Sequence, residues 1–115
     1  MMQDFIRIPK GALIGSKQQP IYGYETVKAT LVNGLAVRKS LPKEPFNWTV
    51  CHASSGLRVD MLSANTKERA IQNAFLAASI GFDWNLTTEE VIENLRKSPG
   101  FMEYLNIIYR NTLDA

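Results

Sequence analysis

Apolar and polar positions follow two different periods along this chain. Up to about residue 62, apolar residues come in short runs rich in Val, Ile, Thr and aromatics, broken by Gly, Pro and Asn, which reads as strands. Beyond residue 65 they recur at helical spacing. Strands first and helices after predict an α+β fold: an antiparallel meander of two main hairpins followed by about three helices packed on the sheet.

In the first half, FIRI (5–8) reads as a short strand stopped by Pro9. Residues 11–20 read as an irregular connection, with room for a short strand at Ala12–Ile14. YETVKATLV (24–32) and LAVRKSL (35–41) flank Asn33–Gly34. Asn-Gly between two apolar runs signals a tight hairpin, because a type I′ turn needs positive φ at both positions. That turn pairs Val32 with Leu35, Leu31 with Ala36, Thr30 with Val37, Ala29 with Arg38 and Lys28 with Lys39. Both faces of the hairpin carry apolar residues: Val27, Leu31 and Ala36 on one, Val32, Leu35 and Val37 on the other. The pattern leaves open which face takes the helices, and two-sided apolarity calls for a cover on each. PKEP (42–45) reads as a stiff break. FNWTVCHA (46–53) and LRVDML (57–62) then flank Ser54-Ser55-Gly56, a second hairpin with Gly56 in the left-handed position.

In the second half, Asn65 with Glu68 reads as a capping-box start, followed by Ala70, Ile71, Ala74, Phe75 and Ala78 on one face. Gly81 reads as the end of that helix, and FDWNL (82–86) as a linker with aromatic anchors. Thr87 with Glu90 is a second capping box, opening a helix through Lys97 with Val91, Ile92 and Leu95 on one side. Ser98-Pro99 opens a third, carrying Phe101, Leu105 and Ile108 with Met102 and Tyr109 beside them. Its apolar residues spread around much of its circumference, so Tyr104, Ile108 and Tyr109 form a candidate surface for self-association or a partner.

The 115 residues suffice for one domain. Hydrophobic residues at 45% and charged residues at 21% give an ordinary globular balance. A lone cysteine, no apolar leader and no membrane-length apolar run lead to the expectation of a cytoplasmic, non-membrane protein. The net charge of +2 conceals an asymmetry. Residues 1–60 hold eight Lys/Arg and four Asp/Glu; residues 61–115 hold five and seven. The sheet half is therefore the basic half.

The candidate chemistry is sparse. Cys51 and His52 are the only cysteine and histidine, and they are neighbours. On a strand they point to opposite faces, so they cannot act as thiol and base. A three-residue loop pairs Cys51 with Val59 and His52 with Arg58. This puts Cys51 in the core and His52 on an exposed polar face with Arg58 and Asp60. One cysteine and one histidine on opposite faces make no zinc site. Glu89, Glu90 and Glu93 read as helix-start and ion-pair residues. No catalytic residue, cofactor or metal is expected. Lys28 facing Lys39 places like charges opposite each other, which costs stability unless they splay or hold an anion. With Lys43 nearby they form a candidate anion-binding site, and His52, Arg58 and Trp48 complete the candidate partner-binding set. Tyr22, Tyr24, Phe46 and Trp48 near Lys28, Arg38, Lys39, Lys43 and Arg58 supply the composition, though not a signature, of a nucleic-acid binder.

Trp48, Thr49, Val50, His52, Ser55 and Gly56, followed by Thr66, Lys67, Glu68, Ala70, Ile71 and Ala74, form a pattern. It resembles one in small, uncharacterised proteins of phages and conjugative elements: a strand, a Ser/Thr-Gly turn and a "TKKEAI"-type helix. The resemblance covers about residues 48–74 and implies a β-hairpin–helix unit in a mobile-element setting. The expectation is a non-enzymatic interaction module, an accessory or host-interfering protein. It would bind a protein through its exposed sheet face or C-terminal helix, with nucleic-acid binding by the basic half as the alternative.

Overall fold

A computed structural model describes residues 2–9 and 24–114. Four strands form one antiparallel sheet in the order β1-β2-β3-β4: Met2–Pro9, Tyr24–Val32, Leu35–Lys39 and Trp48–His52. Three helices follow, α1 (Lys67–Ala78), α2 (Thr88–Arg96) and α3 (Pro99–Leu113). The α+β class and the strand-then-helix order are as the periodicity predicts. The stretch expected to hold a strand at Ala12–Ile14 lies outside the described residues.

The Asn33–Gly34 turn has positive φ at both residues, and it sets the expected pairs Val32–Leu35, Leu31–Ala36 and Thr30–Val37. The ladder stops there, so Ala29–Arg38 and Lys28–Lys39 do not form as backbone pairs. β2 instead pairs along its whole length with β1, which places Phe5 opposite Lys28 and Ile6 opposite Val27.

The second hairpin differs from expectation. After Gly56 the chain returns only as two single bridges, Cys51–Arg58 and Trp48–Ala64, with a 3-10 turn at Asp60–Leu62 between them. Cys51 pairs with Arg58 rather than Val59, a shift of one residue. The cause is local: Gly56 N donates to His52 O at 2.8 Å, and His52 N to Leu57 O at 2.8 Å. These bonds close the turn one residue earlier than a three-residue loop would.

Each face of the sheet has its own core. On one face Val32, Leu35, Val37 and Val50 pack under Ala70, Ala74 and Ala77 of α1, with Trp84, Val91, Leu105 and Ile108 behind. On the other, Ile6, Ile8, Ala29, Ala36 and Cys51 pack together, and no helix residue belongs to that cluster. The sheet covers this second face by curling. β1 and β4 are its two edges, and Gly56, just past β4, sits with its Cα against the backbone of Arg7 and Ile8. The open question of which hairpin face takes the helices is thus answered by register: the Val32–Leu35–Val37 face does.

Several helical details differ from the sequence reading. Thr66, not Asn65, caps α1, its hydroxyl accepting from Arg69 N at 3.2 Å. Asn65 is engaged elsewhere, its side chain accepting from Asn47 N at 3.2 Å. The buried side of α1 is Ala70, Asn73, Ala74 and Ala77, which leaves Phe75 exposed. Asn73 can be buried because its amide donates to Leu62 O (3.0 Å) and Thr112 Oγ1 (2.9 Å). The Thr87–Glu90 capping box forms as expected, but on α2 only Val91 is buried and Ile92 faces solvent.

Gly56 has φ +73°, and a Cβ there would lie 2.7 Å from Ile8 Cα. The change Gly56→Ala therefore combines left-handed strain of about 1–2 kcal/mol with displacement of β1. A loss of at least that size is expected in the urea unfolding free energy.

Candidate functional site

The exposed part of the helix-side face carries the candidate site. α1 packs on β2, β3 and β4, and Gln3, Phe5 and Arg7 of β1 stay exposed beside Tyr24, Thr26 and Lys28 of β2. Residues paired across adjacent strands share a face. The row across the sheet therefore reads Phe5 opposite Lys28, then Lys39 opposite Trp48. Where the β2–β3 ladder ends, a groove of about 260 Å³ opens, lined by Lys28, Lys39, Trp48 and Lys67 together with Gln3 and Thr30. No carboxylate lines it. The Lys67 ammonium stands 5.5 Å from the centre of the Trp48 ring, within cation–π reach. Arg7 stacks over Tyr24 at 4.5 Å farther along the same face.

Three of the sequence candidates, Lys28, Lys39 and Trp48, are thus brought together. The remaining candidates lie elsewhere. Lys43 occupies the left-handed position (φ 73°) of the turn Leu41–Glu44, exposed and outside the groove. Arg58 is largely buried by its pairs with Asp60 (3.3 Å) and Glu44 (3.7 Å).

His52 is buried, at 4% exposure, rather than displayed beside Arg58 and Asp60. Backbone carbonyls only accept, so Nε2 is the N–H that donates to Trp84 O (2.9 Å) and Leu86 O (3.0 Å). In the neutral ring Nδ1 then accepts the Ser55 hydroxyl at 2.8 Å. This Ser–His contact has the spacing of a nucleophile and base. Its surroundings belong to a turn, however: the Ser55 oxygen also accepts from Leu57 N at 3.2 Å.

Ile108 is buried in the core, so the proposed Tyr104–Ile108–Tyr109 surface is not available. Tyr104 packs on the same core, and Tyr109 meets Phe46 edge-on at 6.4 Å. The apolar circumference of α3 is divided: Leu105 and Ile108 are buried, while Ile107 and Leu113 stay exposed.

The second face holds a buried ion pair. Arg38 forks onto Glu44 at 2.7 and 2.8 Å, and Glu44 also accepts from Leu41 N at 2.6 Å. Burial alone would raise the Glu44 carboxyl. The Arg38 and Leu41 hydrogen bonds and the charges of Arg38 and Arg58 outweigh it and hold the group below its usual range. Cys51 lies in the same layer with no exposed surface, as expected of a core thiol. Burial pushes its thiol up to about 11, against the pull of Arg38.

Sequence reasoning missed Lys67 and Phe5 as members of the site. Lys67 starts α1, and the Trp48–Ala64 bridge, with the Asn47–Asn65 hydrogen bonds beside it, brings it over β4. Phe5 joins through the β1–β2 register, which no turn motif announces. Among the described residues no cluster of three His, Cys, Asp or Glu side chains is placed to hold a metal, and no helix is long and apolar enough to cross a membrane. No family model, curated protein or solved structure matches the chain.

Removing Glu44 by Glu44→Ala leaves Arg38 buried without its partner, and a loss of about 3–5 kcal/mol is expected in urea unfolding at neutral pH. A depressed carboxyl stabilises the fold fully above its ordinary value of about 4 and loses that contribution as pH falls through its folded value. Glu44→Gln should therefore be less stable at pH 7 and show a flatter stability decline on acidification. The Cys51 thiol should resist Ellman's reagent at pH 8 in the folded protein and react at once in denaturant.

Proposed function

We propose that this protein is a non-enzymatic interaction module that receives an anionic partner on its exposed sheet face. The observation that carries the reading is the groove itself. Lys28, Lys39 and Lys67 line it around Trp48 with no carboxylate among them. None of the three lysines takes part in an ion pair among the described residues. Like charges gathered in this way repel one another. An anionic partner relieves that repulsion.

The side chains best suited to catalysis are committed to structure. Both ring nitrogens of His52 have partners within the fold, and the Cys51 thiol is buried with little thiolate at neutral pH. This supports a binding role over an enzymatic one. The resemblance of residues 48–74 to phage and conjugative-element proteins supports an accessory role in that setting. Two residues of the shared pattern, Trp48 and Lys67, meet in the groove.

Retention on a heparin column at low salt, with elution as salt rises, tests the reading. The variant carrying Lys28→Glu, Lys39→Glu and Lys67→Glu should lose that retention while keeping its far-UV circular dichroism. Equal retention of the variant would refute the groove as the binding surface.

A further inference from the structure

Resting on that reading, we propose that the anionic partner is a single-stranded nucleic acid whose bases stack on the aromatic residues of the same face. Charge alone does not choose between a nucleic acid and an acidic polypeptide. The aromatic residues do. Phe5 is 65% exposed and Tyr24 is 52% exposed, although each is large and apolar enough to be worth burying. Both lie on the helix-side face, as do Lys28 and Lys39.

Basic and aromatic side chains alternate over this surface. Phe5 stands opposite Lys28, Lys39 opposite Trp48, and Arg7 over Tyr24. A ligand matched to that alternation carries a repeating negative charge and a flat π-face beside each charge. Single-stranded nucleic acid has both, and base–aromatic stacking is sequence-tolerant because every base has a π-face. An acidic polypeptide supplies the charge and leaves Phe5 and Tyr24 without a planar partner.

A duplex fits poorly. Its bases are already stacked on one another, and reading its major groove takes a protruding helix or two-stranded ribbon. Here the aromatic groups lie on the face of a sheet, and the helix nearest the groove begins Lys67–Glu68–Arg69, a mixed run rather than a basic one. Gln3 and Thr30 add neutral hydrogen-bonding groups along the groove wall, suited to sugar and phosphate oxygens.

The test uses the full chain and fluorescence anisotropy with labelled oligo-dT and oligo-rU, a duplex of equal length, and polyglutamate as competitor. Single strands should bind more tightly than the duplex, and polyglutamate should compete weakly. The log–log salt slope should fall by about 0.7 for each of Lys28→Ala and Lys39→Ala. Phe5→Ser lies on an exposed position and leaves the charge unchanged. It should weaken single-strand binding about tenfold, with a much smaller effect on heparin retention, since heparin carries no base to stack. Equal affinity for duplex and single strand, strong competition by polyglutamate, or an unaffected Phe5→Ser variant would overturn the nucleic-acid inference and leave the anion-binding reading standing. Absence of binding to every polyanion at low salt would overturn both.

Discussion

One imidazole joins the two halves of this molecule. His52 is the last residue of β4, and its ring reaches across to the carbonyls of Trp84 and Leu86 in the segment between α1 and α2. Around that joint the backbone closes tightly. Gly34 lies so near Trp84 that a Cβ would fall 2.6 Å from its carbonyl carbon, and Ala53 N donates to Gly34 O at 2.9 Å. The Trp84 indole in turn donates to Ala77 O at 3.1 Å, near the end of α1. Both β-turns and the end of α1 are thereby fixed to a single tryptophan. With its C-terminal end held at that side of the sheet, α1 packs on β2–β4. Phe5, Tyr24 and Lys28 stay in solvent.

The second face follows a different logic. It is apolar in Ile6, Ile8, Ala29, Ala36 and Cys51, yet at its margin it accommodates Arg38 forked onto Glu44. A buried ion pair of this kind adds little net stability relative to an apolar pair of similar volume, because desolvation consumes most of the Coulombic gain. What it does impose is geometry. Glu44 meets Arg38 only if the Pro42–Lys43 turn bends back under the sheet, and that bend holds Lys43 at positive φ. The residue that looked like a third lysine of the anion site is the hinge of this turn.

What was legible in the sequence was what short range decides. Asn33–Gly34 specified its own register, Thr87 and Glu90 specified their capping box, and strand alternation separated Cys51 from His52. The strands-then-helices order carried the fold class. Long-range contacts decided the rest. His52 looked exposed because its partners at Trp84 and Leu86 lie more than thirty residues away. Phe75 and Ile92 looked buried because helical spacing defines a face without saying whether a neighbour reaches its edge. For the candidate site, the hairpin register brought Lys28 and Lys39 into view, and the aromatic start of the next strand run did so for Trp48. Phe5 and Lys67 required the pairing of β1 and the seat of α1, neither of which has a local signature.

The contact between Gly56 and β1 makes closure of the sheet a long-range commitment of the chain. The Asn33–Gly34 turn closes over two residues, whereas joining Ile8 to Gly56 closes a loop through most of the sheet half, and loop closure grows costlier with length. Contacts of such sequence separation slow folding. Phe5 meets Lys28 through the β1–β2 ladder itself, so that register sets the face and the Gly56 contact fastens its outer strand. A ligand of the proposed kind, spanning β1 and β3, would stabilise the closed sheet in proportion to RT ln(1 + [L]/Kd). Occupancy of the face and closure of the curl would then be two readings of one equilibrium.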